Sequence, residues 1–139
     1  MTTVALVSCA AGKLTTVANA ADLYDSPLFG LARQFAEKRC DRWFILSAKH
    51  HLLRPDILVE PYDLTLNNMG VAERRQWAEF VYQELKKVLK PRDKMVILAG
   101  GKYREFLVPK LEQAGISVEI PMEHLPIGKQ LKWLKENAS

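Results

Sequence analysis

Four short runs of apolar and β-branched residues, at 4–8, 43–47, 94–99 and 116–120, punctuate the chain, and a different rhythm fills the intervals between them. There, apolar positions recur every three or four residues, the period of a helix with one buried face. After Ser26 and Pro27, residues Leu28, Leu31, Ala32, Phe35 and Ala36 share such a face up to Arg39. The serine is suited to cap the first free N–H groups, and proline fits the first helical position, whose N–H has no partner inside the helix. A second helix follows Asn67 and Asn68: Val71, Trp77, Val81, Leu85 and Val88 keep helical spacing, Glu73, Arg74, Glu84 and Lys87 take other faces, and Pro91 ends it. A third starts near Gly101 and Lys102, is split or kinked by Pro109 and is capped by Gly115. The last, 128–137, turns Leu131 and Leu134 inward and carries Lys129, Lys132 and Lys135 elsewhere.

Strands alternating with helices predict an α/β fold of three layers, a central, mostly parallel four-stranded sheet flanked by helices. The 139 residues suit one domain over 1–139, large enough to bury a core without disulfides or metal. Residues 48–66 fit neither period and hold Pro55 and Pro61; a connection this long in a small domain is expected to be functional.

Composition narrows the class. With 48% hydrophobic and 26% charged residues, the chain is neither disordered nor fibrous. Residues 1–7 lack a basic leader and a long apolar core, so they read as a first strand rather than a signal peptide, and no segment is expected to enter a membrane. The two cysteines, Cys9 and Cys40, lie far apart, which points to a reducing compartment and a cytoplasmic location. Lys and Arg outnumber Asp and Glu by 20 to 16, and the resulting charge of +4 suits an anionic partner such as nucleic acid.

In open α/β sheets, ligands collect outside the carboxyl ends of the strands, where loops converge. Three loops there carry chemistry. After the first strand, Ser8, Cys9, Ala10, Ala11, Gly12 and Lys13 form a small-residue turn whose backbone can approach an anion and whose lysine can neutralise it, or simply a tight turn with a solvated lysine. The spacing is not that of a P-loop, so nucleotide hydrolysis is not implied. After the second strand come Ser47, Lys49, His50, His51 and Arg54, then Tyr62 and Asp63, a set of polar groups that would floor a planar ligand or else lie exposed. After the third, Gly100 and Gly101 permit close approach, and Tyr103 would stand in the first helical turn, able to stack on a base or to pack with a wet tip. Cys9 reads either as a nucleophile, with His50 or His51 as its base, or as a small packed thiol. The three histidines, His50, His51 and His124, and the cysteine spacing predict no metal site, and no cofactor is expected.

The residues from Ile45 to Pro55, reading Ile-Leu-Ser-Ala-Lys-His-His-Leu-Leu-Arg-Pro, followed by Pro61-Tyr62-Asp63-Leu64, resemble the signature of the YaaA family of peroxide-stress proteins. That family has Leu-Ser-x-x-Tyr-Gly-x-Leu-Arg-Pro and then Pro-Tyr-x-Leu; here His50 and His51 stand where it has Tyr-Gly. Leu98-Ala99-Gly100-Gly101-Lys102-Tyr103 is similar to its Leu-Ala-Ser-x-Glu-Tyr. Over nearly the whole chain the sequence is more similar to a set of small bacterial and phage proteins. They share a Ser-Cys-x-x-Lys-type turn, a Leu-Tyr-x-Ser-Pro-Leu-Phe helix start, here containing Tyr24, and a final Gly-x-Gln-x-x-Trp-Leu, here containing Gln130. The resemblance implies a fold related to uracil-DNA glycosylases and to the glycosidase-like domain of archaeosine synthase, and an association with DNA binding and oxidative stress.

What it further implies is an enzyme acting at the glycosidic bond of a modified or damaged base in DNA, flipped into a pocket. In that expectation Asp63 stabilises the cationic sugar or positions water, and Ser47, Lys49 or His50 donates to the departing base. Tyr62 or Tyr103 stacks on the base, Lys13 and Arg54 hold phosphates, and Ser8, Cys9, Tyr24, Gly100 and Gln130 complete the binding surface. A non-catalytic module holding DNA or a nucleotide is the alternative, and transfer chemistry on a free nucleoside a third. All three require Ser8, Ser47, Asp63 and Tyr103 to meet around one concavity.

Overall fold

The computed structural model describes residues 2–138; Met1 and Ser139, the ends of the expected 1–139 domain, lie outside the described residues. Strand β1 (Thr3–Ser8) is apolar on both sides, with Val4, Ala5, Leu6 and Val7 all buried, as a parallel strand covered on both faces must be. It is followed by β2 (Ala18–Asn19), the single turn α1 (Ala20–Leu23), α2 (Pro27–Arg39), β3 (Arg42–Ser47), β4 (His51–Leu53) and β5 (Leu58–Val59). A 3-10 turn (Leu66–Asn68) leads to α3 (Val71–Val88), β6 (Lys94–Leu98), α4 (Gly101–Arg104), α5 (Leu107–Gln113), β7 (Ser117–Glu119) and α6 (Ile127–Asn137).

The central sheet has five strands in the order β4-β3-β1-β6-β7. β1 pairs in parallel with β3 and β6, and β6 with β7, while β4 runs antiparallel to β3. The fold is therefore α/β with a mostly parallel sheet, but the expected four strands are a miscount. The fifth comes from within 48–66, where the His50 N–H donates to Ser47 Oγ at 3.0 Å and His51 takes φ 63°, turning the chain back along β3. Three residues of strand are too few to display an alternation. β5, in the same stretch, pairs with β2 in a separate two-stranded ribbon.

Alternate residues of β1 serve different cores. Ala5 and Val7 meet Phe29, Ala32 and Ala36 of α2 and Leu134 of α6; Val4 and Leu6 meet Trp77, Val81 and Leu85 of α3 and Leu107 and Leu111 of α5. The start of α2 is as expected: Ser26 Oγ accepts from the Phe29 N–H at 3.3 Å, with Pro27 as the first helical residue. The third helix does break, but ahead of Pro109 rather than at it. α4 ends at Arg104 and α5 begins at Leu107, so the proline falls in a first turn, where a missing N–H forfeits nothing.

Because β1 leads into α2 on one face and β6 into α4 and α5 on the other, the chain diverges between the C-terminal ends of β1 and β6. Such a divergence opens a crevice at the sheet's edge. Among the described residues no helix is long and apolar enough to cross a membrane.

Candidate functional site

A cavity of about 170 Å³ occupies that crevice. Ser8 and Cys9 at the end of β1, and Leu98, Gly100 and Gly101 at the end of β6, form one side of it. Ser26 and Phe29 from the start of α2, Glu123 from the loop after β7, and Gln130 of α6 close the other. Arg104 also lines it: its Nε donates to the Ala99 carbonyl at 3.0 Å, and its Nη1 lies 3.4 Å from Glu123 Oε2. Gln130 is fixed by donating Nε2 to the Leu125 carbonyl at 2.7 Å.

Next to the cavity, three tyrosines surround the end of β1. Phe29 links the two regions, since the Tyr24 ring packs on it at a centroid distance of 4.9 Å. The Tyr24 hydroxyl bonds that of Tyr62 at 2.6 Å, and Tyr62 bonds Ser47 Oγ at 2.7 Å. Ser47 is itself held at both ends, its carbonyl accepting from Trp77 Nε1 at 2.9 Å and its Oγ from the His50 N–H. On the far side of the sheet's end, Tyr103 bonds Cys9 Sγ at 3.2 Å and packs edge-on against Trp77. Cys9 thus stands between cavity and tyrosines, its own N–H continuing the β1 ladder onto the Leu46 carbonyl at 2.9 Å.

The three phenols are protonated groups. Burial pushes Tyr24 up to about 12, against the opposing hydrogen bond from Tyr62. Burial also raises Tyr62 and Tyr103, reinforced by the neighbouring Cys9. His50, edge-on to Tyr62 at 5.4 Å, is shifted down by burial and then by the charges of Lys49 and His51, which favours its neutral form.

Lys13 is carried to this cluster by backbone fit. A Cβ at Gly12 would lie 2.6 Å from the Asp25 carbonyl oxygen, so only glycine permits the approach that lets Lys13 bridge to Tyr24. Hydrogen bonds from Asp25 N–H to the Gly12 carbonyl and from Leu14 N–H to the Leu23 carbonyl, both 2.8 Å, hold the two segments together. Lys13 Nζ then sits 4.5 Å from the Tyr62 ring centroid and Lys49 Nζ 6.0 Å from it. A face expected to receive a base is covered by an ammonium group.

Of the residues singled out in the sequence, Ser8, Cys9, Gly100 and Gln130 line the cavity, and Tyr24, Ser47, Tyr62, Tyr103, Lys13, Lys49 and His50 gather beside it. Two stand apart. Asp63 is exposed and makes no hydrogen bond or ion pair among the described residues. Arg54 follows β4, whose antiparallel course leads it away from the end of β3, and it pairs with Asp56 at 3.6 Å. The charged residues lining the cavity, Arg104 and Glu123, were not among those singled out in the sequence. Arg104 had a signal, lying one residue beyond Tyr103 in the glycine-led turn; Glu123 had none, because only the tertiary fold brings its loop to the β1 end. Among the described residues, no three of His, Cys, Asp and Glu cluster in a way that would hold a metal ion.

The chain is similar to a curated protein, "Uncharacterized protein YfjM" of Bacillus subtilis (strain 168), 38% identical over 95 residues. The match covers 63% of this chain and 59% of that protein, so the chain spans well under two thirds of its relative's length. A family model matches almost the whole fold, from the second residue of β1 to the penultimate residue of α6. On that match, over residues 4–136, the chain belongs to the Family of unknown function (DUF6884).

Proposed function

We propose that the chain cleaves the N-glycosidic bond of a modified or damaged base in DNA, taking the flipped base into the cavity between β1 and β6. The supporting observation is that one small cavity combines hydrogen-bond donors with a carboxylate. At about 170 Å³ it is below the roughly 300–1,000 Å³ of sites for drug-sized ligands, a volume suited to one ring system with its sugar and phosphate left at the rim. Bond cleavage builds negative charge on the departing base and positive charge on the sugar. Arg104 and the backbone at Gly100 and Gly101 face the first, and Glu123 the second. The role expected of Asp63 at the sugar passes to Glu123, because Asp63 is exposed and lines no part of this cavity.

The test is release of free base, read by mass, together with abasic-site formation, on genomic DNAs bearing different natural base modifications. Glu123→Gln should lower release by about 100-fold or more, the usual range for a positioned acid or base, and Asp63→Ala should leave it unchanged. Full activity in the folded Glu123→Gln variant, or no released base from any DNA, would overturn the reading. The exposure of Asp63 favours one alternative, a module that holds DNA or a nucleotide without chemistry. Its signature is binding indifferent to Asp63→Ala and no released base.

A further inference from the structure

We infer that Lys13 and Lys49, converging on the Tyr62 ring, form a binding site for a phosphate group beside the cavity. Each comes from a different strand end, Lys13 from the loop after β1 and Lys49 from the turn after β3, and they meet over one aromatic side chain at 4.5 and 6.0 Å from its centroid. Neither pairs with a carboxylate among the described residues, whereas Arg33, Arg42, Arg74, Lys94 and Lys110 all do. Two ammonium groups brought to one ring, neither offset by a carboxylate among the described residues, leave positive charge there that an anion would neutralise. The arrangement is built rather than incidental. Tyr62 cannot swing away, because its hydroxyl is fastened to Ser47 and Tyr24. Lys13 cannot drift far, because its backbone bridges to Tyr24 and its Nζ also reaches the Ala11 carbonyl at 3.4 Å.

The ligand chemistry is a phosphate mono- or diester. The site would serve the phosphate of a nucleotide whose base lies in the cavity, since contacts run unbroken between the two places: Phe29 lines the cavity, Tyr24 packs on Phe29, and Tyr62 is bonded to Tyr24. The inference shares the nucleotide ligand of the proposed function but not its chemistry, and stands whether or not a bond is cleaved.

The experiment is binding of a fluorescent single-stranded oligonucleotide at several salt concentrations, with Lys13→Ala, Lys49→Ala and the control Lys135→Ala, an exposed lysine of α6. Each phosphate contact contributes about 0.7 to the slope of log K against log salt on a single strand. Lys13→Ala and Lys49→Ala should each flatten the slope by about that amount, Lys13→Arg and Lys49→Arg should restore it, and Lys135→Ala should leave it as in the unaltered chain. Competition by inorganic phosphate and a nucleoside monophosphate would identify the source as a free nucleotide; competition by oligonucleotides alone would identify the DNA backbone. Slopes in the Lys13 and Lys49 variants equal to that of the control, or no binding of either probe by the unaltered chain, would overturn the site. Flattened slopes without base release would leave the phosphate site and remove the cleavage; base release with unchanged slopes would do the reverse.

Discussion

Tyr62 uses its hydroxyl inside the protein and offers only its ring to the surface. The hydroxyl joins Ser47, which is fully buried, to Tyr24, which is 5% exposed, and burial favours its protonated form. These two functions of one side chain separate in Tyr62→Phe. The variant strips the hydroxyl and leaves the Tyr24 phenol without its partner, which should lower stability by about 1–2 kcal/mol in chemical denaturation, the range for an unpaired buried polar group. The ring that carries Lys13 and Lys49 remains, so the salt slope of oligonucleotide binding should not change. A loss of binding equal to that of Lys13→Ala would mean the hydroxyl itself touches the ligand.

Among the elements, what decides legibility is whether the signal is local. α2 was readable from end to end because a serine cap, an N1 proline and a periodic face all lie within its own residues. The end of α5 was equally plain. Gly115 sits at φ 80°, its N–H donates to the Glu112 carbonyl and that of Ile116 to the Leu111 carbonyl, both at 3.0 Å, the left-handed cap that only glycine adopts without strain. Gly115→Ala should therefore lower stability by about 1 kcal/mol, the penalty of a Cβ in that conformation, with the denaturation slope unchanged. An unaltered midpoint would show that the helix end rearranges freely. β4 was not readable, because its three residues depend on a turn and on pairing with β3. Likewise 48–66 declared itself by its length, its two prolines and its lack of either period, yet nothing local told Tyr62, which bonds Ser47 and Tyr24, from Asp63, which has no polar partner among the described residues.

At the scale of the molecule, the parallel strands separate two poles. All the chemistry described above lies at their C-terminal ends; at the opposite end Asp93 ties the starts of three strands together. Its carboxylate accepts from the Lys90 N–H at 2.8 Å, from Arg42 Nη2 at 3.0 Å and from the Thr2 hydroxyl, with Arg42 beginning β3, Lys94 beginning β6 and Thr2 preceding β1. The Lys90 N–H and then the Thr2 hydroxyl, with Arg42 beside them, hold the Asp93 carboxyl below the usual aspartate range. A carboxyl that binds its proton less readily in the folded chain than in the unfolded one stabilises the fold fully above the unfolded value of about 3.9, and that contribution disappears as pH falls through the lower folded value. Asp93→Asn should then lower stability by about 1–3 kcal/mol at neutral pH, as expected for breaking buried hydrogen bonds to a charge. Its midpoint should also fall less steeply than the unaltered chain's on acidification below about pH 4. Strands of six residues put roughly 20 Å between the poles, beyond the 7–10 Å over which substitutions usually couple, so oligonucleotide affinity and its salt slope should not move. Parallel pH curves for the two proteins would remove Asp93 from the acid response, and a changed salt slope would mean the sheet transmits strain from one end to the other.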